Sequence, residues 1–210
     1  MMMRALHLSL DLTNSFDACV WAACCCAFWG LMRFGESGIV HFLTTVRSRS
    51  AFSPANHLTR SNAHALTDSL GKPYIRLDLP CAKTADPGKR QSVYISTGGD
   101  TCSKVDLDNL AQVCPTSPSS PLFSWRDGKG DVRPLTRDAA LTRINSILRS
   151  LGWGNSFGHS FRIGGASYLL GQGVAPEVVR IAGRLRSLAY ELYVHSFENV
   201  MSHHLSGVAR

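Results

Sequence analysis

Apolar side chains recur along this chain in three rhythms, and each predicts a different kind of element. From Ala18 to Met32 the chain carries no charge and is apolar at almost every position. A helix that is apolar all round is a buried one, so a core helix is predicted from Asp17 to about Met32, ending near Gly30 and Gly35. At about 15 residues the run falls short of the roughly 20 that a membrane span needs, and Asp11 and Asp17 interrupt the region where a signal peptide would begin. The second rhythm is alternation. Tyr74-Ile-Arg-Leu-Asp-Leu and Ser92-Val-Tyr-Ile-Ser predict two short strands, joined through Pro80–Arg90 with a Pro87-Gly88 turn.

The third rhythm is helical. Thr136 caps a predicted helix running to Leu151, with Ala140, Ile144, Ile147, Leu148 and Leu151 on its apolar face and Arg137, Arg143 and Arg149 elsewhere on its surface. Such a helix lies against a phosphate backbone or simply presents a solvated face. Residues 104–114 predict another helix. From His159 to Leu170 a further helix buries Ile163, Ala166, Leu169 and Leu170, and Gly164-Gly165 allows a neighbour close. Pro176 starts a short helix that Gly183 ends. Ser187 caps a last one, carrying Tyr190, Tyr193 and Phe197. Residues 47–72 show no clear period and read as loop with at most a short helix. Residues 115–121, rich in Pro and Ser, read as a flexible link. The fold class expected is α+β, mainly α-helical with a small antiparallel sheet. Residues 17–200 form one domain, between an N-terminal remnant (1–16) and a C-terminal tail (201–210).

Composition changes the picture in two ways. A net charge of +7 over 210 residues favours an anionic partner, of which nucleic acid is the commonest for a soluble domain. Seven cysteines, three of them adjacent and none in a CxxC pair, fit neither a disulfide framework nor a zinc site, and reduced thiols in an intracellular compartment are expected. His41, His57 and His64 lack the spacing of ligands on one helix, so no metal site is expected.

The candidate chemistry lies in 159–193. His159 and Arg162 are three apart and project from one helix face, an imidazole that moves protons near neutrality beside a fork that grips phosphate. Arg184 and Tyr193 follow. Arg33 emerges from the buried helix with Glu36 three residues on, either an ordinary helix-end ion pair or a guanidinium held for a phosphate. Lys83 sits in the predicted hairpin connection. Read singly, Tyr193 fits an aromatic stripe with Tyr190 and Phe197, His159 a helix cap, and Lys83 a solvated lysine.

Taken in order, Arg33 in Arg-Phe-Gly-Glu, Lys83 in a β-hairpin, His159-x-x-Arg162, Arg184 after Gly183, and Tyr193 resemble the catalytic domain of the tyrosine recombinases, or phage integrases. Arg162-Ile-Gly-Gly-Ala-Ser and Gly183-Arg184…Tyr193 are especially similar to the eukaryotic crypton and DIRS-like transposon recombinases. The resemblance covers roughly residues 17–200, and the spacings from Arg162 and from Arg184 to Tyr193 match the family pattern. It implies strand transfer on double-stranded DNA through a 3′-phosphotyrosyl bond to Tyr193, with Tyr190 as the rival nucleophile. Arg33, Arg162 and Arg184 would contact the phosphate, Lys83 would protonate the leaving 5′ oxygen, His159 would assist proton transfer, and Glu36 would orient Arg33. It implies no metal, no cofactor and no membrane, a homotetramer on DNA, and a nuclear or otherwise intracellular location. Two departures stand out. The family usually has His or Trp where Arg184 stands, and about 16 residues precede the first matching helix where full-length members carry a DNA-clamping domain. A truncated or decayed copy that binds DNA without chemistry, and a type IB topoisomerase-like enzyme, are the alternatives.

Overall fold

Asn14 starts the helix around which the rest is built. Its side chain accepts hydrogen bonds from the backbone N–H groups of Phe16 and Asp17, satisfying donors that a helix start leaves orphaned. The computed structural model describes residues 2–34, 42–43, 52–80, 91–96 and 102–184. Among these are six α-helices and a small antiparallel sheet. The capped helix, α2 (Ser15–Trp29), is buried at every position from Asp17 to Ala27. Its alanines and cysteines are small enough for neighbours to approach on all sides. α1 (Met2–Ser9), α3 (Ser103–Val113), α4 (Arg137–Ser150) and α5 (Ser160–Gly171) all pack on it.

Burial pushes the thiols of Cys19, Cys24, Cys25 and Cys26 far up, so they act as small apolar side chains; Cys19, Cys24, Cys25, Cys26, Cys102 and Cys114 are all free. No helix among the described residues is long and apolar enough to cross a membrane. α1 falls in a segment with little sequence signal, and its Met3 and Leu6, with Leu10 just beyond it, join the same core as α2.

Beyond α2 the chain forms β1 (Arg33–Phe34), which pairs in parallel with β2 (Phe42–Leu43). The sheet proper is β3 (Ala63–Thr67), β4 (Pro73–Leu79) and β5 (Gln91–Ser96), antiparallel in that order. Both strands read from alternation are present: Ile75, Leu77, Leu79, Val93 and Ile95 face the core. β3 corrects the reading of 47–72 as loop. It is an edge strand held by its ladder to β4, with most of its side chains only half-covered, so it carries no apolar alternation to read.

Residues 115–121 are no free link. Arg60 N–H donates to Ser120 O at 3.0 Å, Ser61 N–H to Pro118 O at 2.9 Å and Leu122 N–H to Leu58 O at 2.9 Å, pinning the segment to 58–61. β6 (Ser124–Arg126) and β7 (Val132–Pro134) then form a hairpin whose turn is organised by the Asp127 carboxylate. Thr136 caps α4 as expected, its hydroxyl accepting from Ala139 N–H at 3.2 Å. Ala140, Ile144, Ile147 and Leu148 are buried, whereas Leu151 is 43% exposed. Arg143 does not face outward as a phosphate contact: it grips Asp17 through Nε at 2.8 Å and Nη2 at 2.7 Å, tying α4 to the start of α2.

Asp106 is a buried carboxyl of the core. The Asp106 carboxylate accepts from Trp21 Nε1 at 2.8 Å, and burial raises its pKa against the hydrogen bonds from Cys25 and Trp21. A carboxyl raised in the folded state contributes stability that is complete below its ordinary pKa and is lost as pH rises through the folded value. Asp106→Asn, which keeps the acceptor for Trp21, should therefore gain on the parent protein as pH climbs from 4 to 7. Melting temperature against pH for the two proteins checks this, and parallel curves would contradict it.

Candidate functional site

The site is assembled where α5 crosses the C-terminal end of α2, and two glycines allow the crossing. A Cβ on Gly165 would lie 2.1 Å from the Phe28 carbonyl oxygen and 2.9 Å from Leu31 Cδ2, while one on Gly164 would meet the Phe28 ring at 3.4 Å. At the other end of α5, Phe34 N–H donates to Gly158 O at 2.8 Å, and the Phe34 and Phe161 rings lie 5.1 Å apart. These contacts hold β1, and hence Arg33, against the start of α5, where His159 and Arg162 stand. His159 occupies the N-cap position, yet its side chain makes no capping bond; its carbonyl accepts from Ile163 N–H. The expected face of α5 shifts: Phe161, Arg162, Gly165, Ala166 and Leu170 are buried, while Ile163 and Leu169 are half-buried.

Arg162 is 6% exposed, and its Nη2 donates to the Gly183 carbonyl at the end of α6 (Pro176–Ala182). Arg184, the next residue, donates in turn through Nη2 to the Gly30 carbonyl at 3.5 Å. Three segments distant in sequence thus meet: the turn after α2, the start of α5 and the end of α6. Leu31 and Arg184, on either side of that last contact, have φ of 48° and 52°, a left-handed conformation that costs a residue with a Cβ about 1–2 kcal/mol. Such strain persists only where the surroundings impose it, here by the packing of Leu31 with Ala166, Leu170 and Val179.

Electrostatically the cluster is one-sided. Burial and the neighbouring charge of Arg162 push the Arg184 guanidinium down to about 10. The Nε atoms of Arg33 and Arg184 are buried and unbonded, and neither residue has a carboxylate partner among the described residues. Like charges taken out of water beside one another are costly unless an anion joins them.

Of the residues read from the sequence, Arg33, His159, Arg162 and Arg184 are brought to this region. Glu36, Lys83 with its hairpin connection, Tyr190, Tyr193 and the last helix lie outside the described residues. A hollow of about 560 Å³ lined by Asp11, Phe16, Asp17, Trp125 and Arg143 lies at the opposite end of α2 and is a separate feature. No three His, Cys, Asp or Glu side chains come together as a metal site among the described residues.

The sequence offered Arg137 only as one of three arginines on a helix that either meets a phosphate backbone or faces solvent, and it gave no sign of Gly158. Arg137 stands in the first turn of α4, where the helix dipole disfavours a cation, and that was the available signal.

No family model matches the chain, and no curated protein sequence does. Solved structures do. The XerH site-specific recombinase bound to palindromic difH substrate, in a post-cleavage complex, superposes with a TM-score of 0.60 at 14% identity, over 100% of this chain and 51% of that one. The XerH pre-cleavage complex with difH gives 0.57 at 15% identity, over 96% and 49%. A Flpe–Holliday junction complex gives 0.50 at 14%, over 100% and 49%. The chain spans about half the length of these recombinases. At such identity the likeness is one of fold: six helices around a small antiparallel sheet, the mixed α/β fold of the tyrosine recombinase catalytic domain.

Proposed function

We propose that this chain cleaves and rejoins DNA strands by the tyrosine recombinase reaction, and that it is closest to the crypton and DIRS-like transposon recombinases. The observation that carries the proposal is the meeting of Arg162 and Arg184 beside β1: a buried and a half-buried guanidinium of like charge, brought together where the end of α6 joins the turn after α2. A phosphodiester is an anion that both guanidiniums can contact. Its non-bridging oxygens gain charge in the pentavalent transition state, where Arg33, Arg162 and Arg184 would stabilise them. The Tyr193 oxygen attacks phosphorus, His159 assists removal of its proton, and Lys83 delivers a proton to the departing 5′ oxygen, leaving a 3′-phosphotyrosyl bond. Glu36 would orient Arg33. Arg184, where the family usually carries His or Trp, contributes a full positive charge at neutral pH. The partner is double-stranded DNA, the working assembly a homotetramer of chains 17–200 on it, and the location nuclear or otherwise intracellular.

Incubated with a pool of duplexes of randomised sequence, the protein should become attached to DNA in a form that survives denaturing detergent and disappears with protease. Tyr193→Phe should abolish the attachment, and Tyr190→Phe should not. DNA binding without attachment in any duplex would instead mark a binding relic, and relaxation of plasmids without site preference a topoisomerase-like enzyme.

The charge imbalance has its own consequence. Inorganic phosphate should raise the melting temperature. At tenfold excess over its Kd the gain is about 1.4 kcal/mol, or roughly 3–5 °C. Because the folded pKa of Arg184 is lowered, its charge opposes folding below about pH 10. Arg184→Gln should therefore melt no lower than the parent in phosphate-free buffer while losing most of the phosphate gain.

A further inference from the structure

We infer that Arg137 is a fourth phosphate-contacting arginine of this site, binding the DNA backbone where α4 meets the start of α5. The inference rests on the reading of the cluster as a DNA phosphate site. Arg137 is the first residue of α4, twenty-two residues before His159 in sequence, yet its guanidinium lies against Gly158, whose Cβ would come within 3.4 Å of both Nε and Nη2. Gly158 is also the residue that clasps β1, since it accepts from Phe34 N–H, and a Cβ there would strike the Phe34 carbonyl oxygen at 2.6 Å. Arg137 is thus carried to the seam between the strand of Arg33 and the helix of His159 and Arg162, over a position where only glycine leaves room.

Among the described residues no carboxylate neutralises it. Its Nε is buried without a hydrogen bond, and no carboxylate pairs with it among the described residues; Asp138 beside it is exposed and points to no ion pair with it. Arg143 on the same helix, by contrast, is held by Asp17, as Arg133 is by Asp127 and Asp131 and Arg180 by Glu177. A cation in the first turn of a helix works against the dipole unless an anion is bound to both.

The test is the salt dependence of duplex binding, which counts phosphate contacts. Arg137→Gln should lower the slope of log K against log salt by about one and weaken binding alike on all sequences. Arg149→Gln removes the same charge from an exposed position about 18 Å along α4 and should leave the slope unchanged. Arg137→Met keeps the stem on Gly158 and should reproduce the Arg137→Gln slope, so a folding defect in either variant is recognised by their disagreement in melting temperature but not in slope. Equal slopes for Arg137→Gln, Arg137→Met and the parent, or an equal fall for Arg149→Gln, would overturn the inference. Failure of the parent protein to bind DNA with any salt dependence would instead overturn the reading beneath it.

Discussion

Arg162→Lys should reduce the rate of covalent attachment to DNA by about 10²–10³-fold while leaving the fold nearly intact. The reason is geometric. Arg162 uses one terminal nitrogen to hold the Gly183 carbonyl at the end of α6, and that bond fixes the plane of the whole guanidinium fork. A lysine ammonium can satisfy the carbonyl or reach the phosphate, but it is a single point charge and cannot do both in fixed geometry. Losing one preorganised donor to a developing oxyanion typically costs that factor. Arg162→Ala goes further, because it also leaves the Gly183 carbonyl without its donor in a buried place, at about 1–3 kcal/mol. Single-turnover attachment rates and melting temperatures of the two variants separate these effects. A Lys variant as fast as the parent would contradict the role.

Gly165→Ala should be the most damaging small substitution in the described core, lowering stability by about 3 kcal/mol and the melting temperature by roughly 6–12 °C. The atom that the new methyl would strike at 2.1 Å is a backbone carbonyl oxygen of α2, which cannot swing away as a side chain can. α5 must therefore back off from α2. The Gly30 turn that accepts Arg184 and the packing of Leu31 on Ala166 go with it. Gly164→Ala, only one position along, meets the Phe28 ring at 3.4 Å and should cost little. Thermal melts of the pair check the contrast, and equal losses would show that the crossing is looser than its geometry.

How much of this was legible depended on whether the decisive contact was local. The apolar run of α2, the Thr136 cap of α4 and the alternation of β4 and β5 are written in neighbouring residues, and each element stands where it was expected. β3 was not legible, since an edge strand with half-covered side chains is defined by the ladder of its partner. The pinning of 115–121 depends on backbone groups of 58–61, which side-chain pattern does not reveal. α5 is the instructive case. Hydropathy puts Ile163 inward, whereas the buried position is Arg162, because its carbonyl partner lies twenty-one residues on.

The site divides in the same way. Arg33, His159, Arg162 and Arg184 were visible as residue types in a known order. That Phe34 and Gly158 clasp two of their segments together, and that Arg137 lies on the same seam, are tertiary facts.

The most direct test of the account is the chemical identity of the bond between protein and DNA. The attached species, digested with trypsin and nuclease, should yield one modified peptide by mass spectrometry. A nucleotide remnant joined through its 3′ phosphate to the Tyr193 oxygen is expected. A remnant joined through a 5′ phosphate, a remnant on any other residue, or no attached species from any duplex would contradict it.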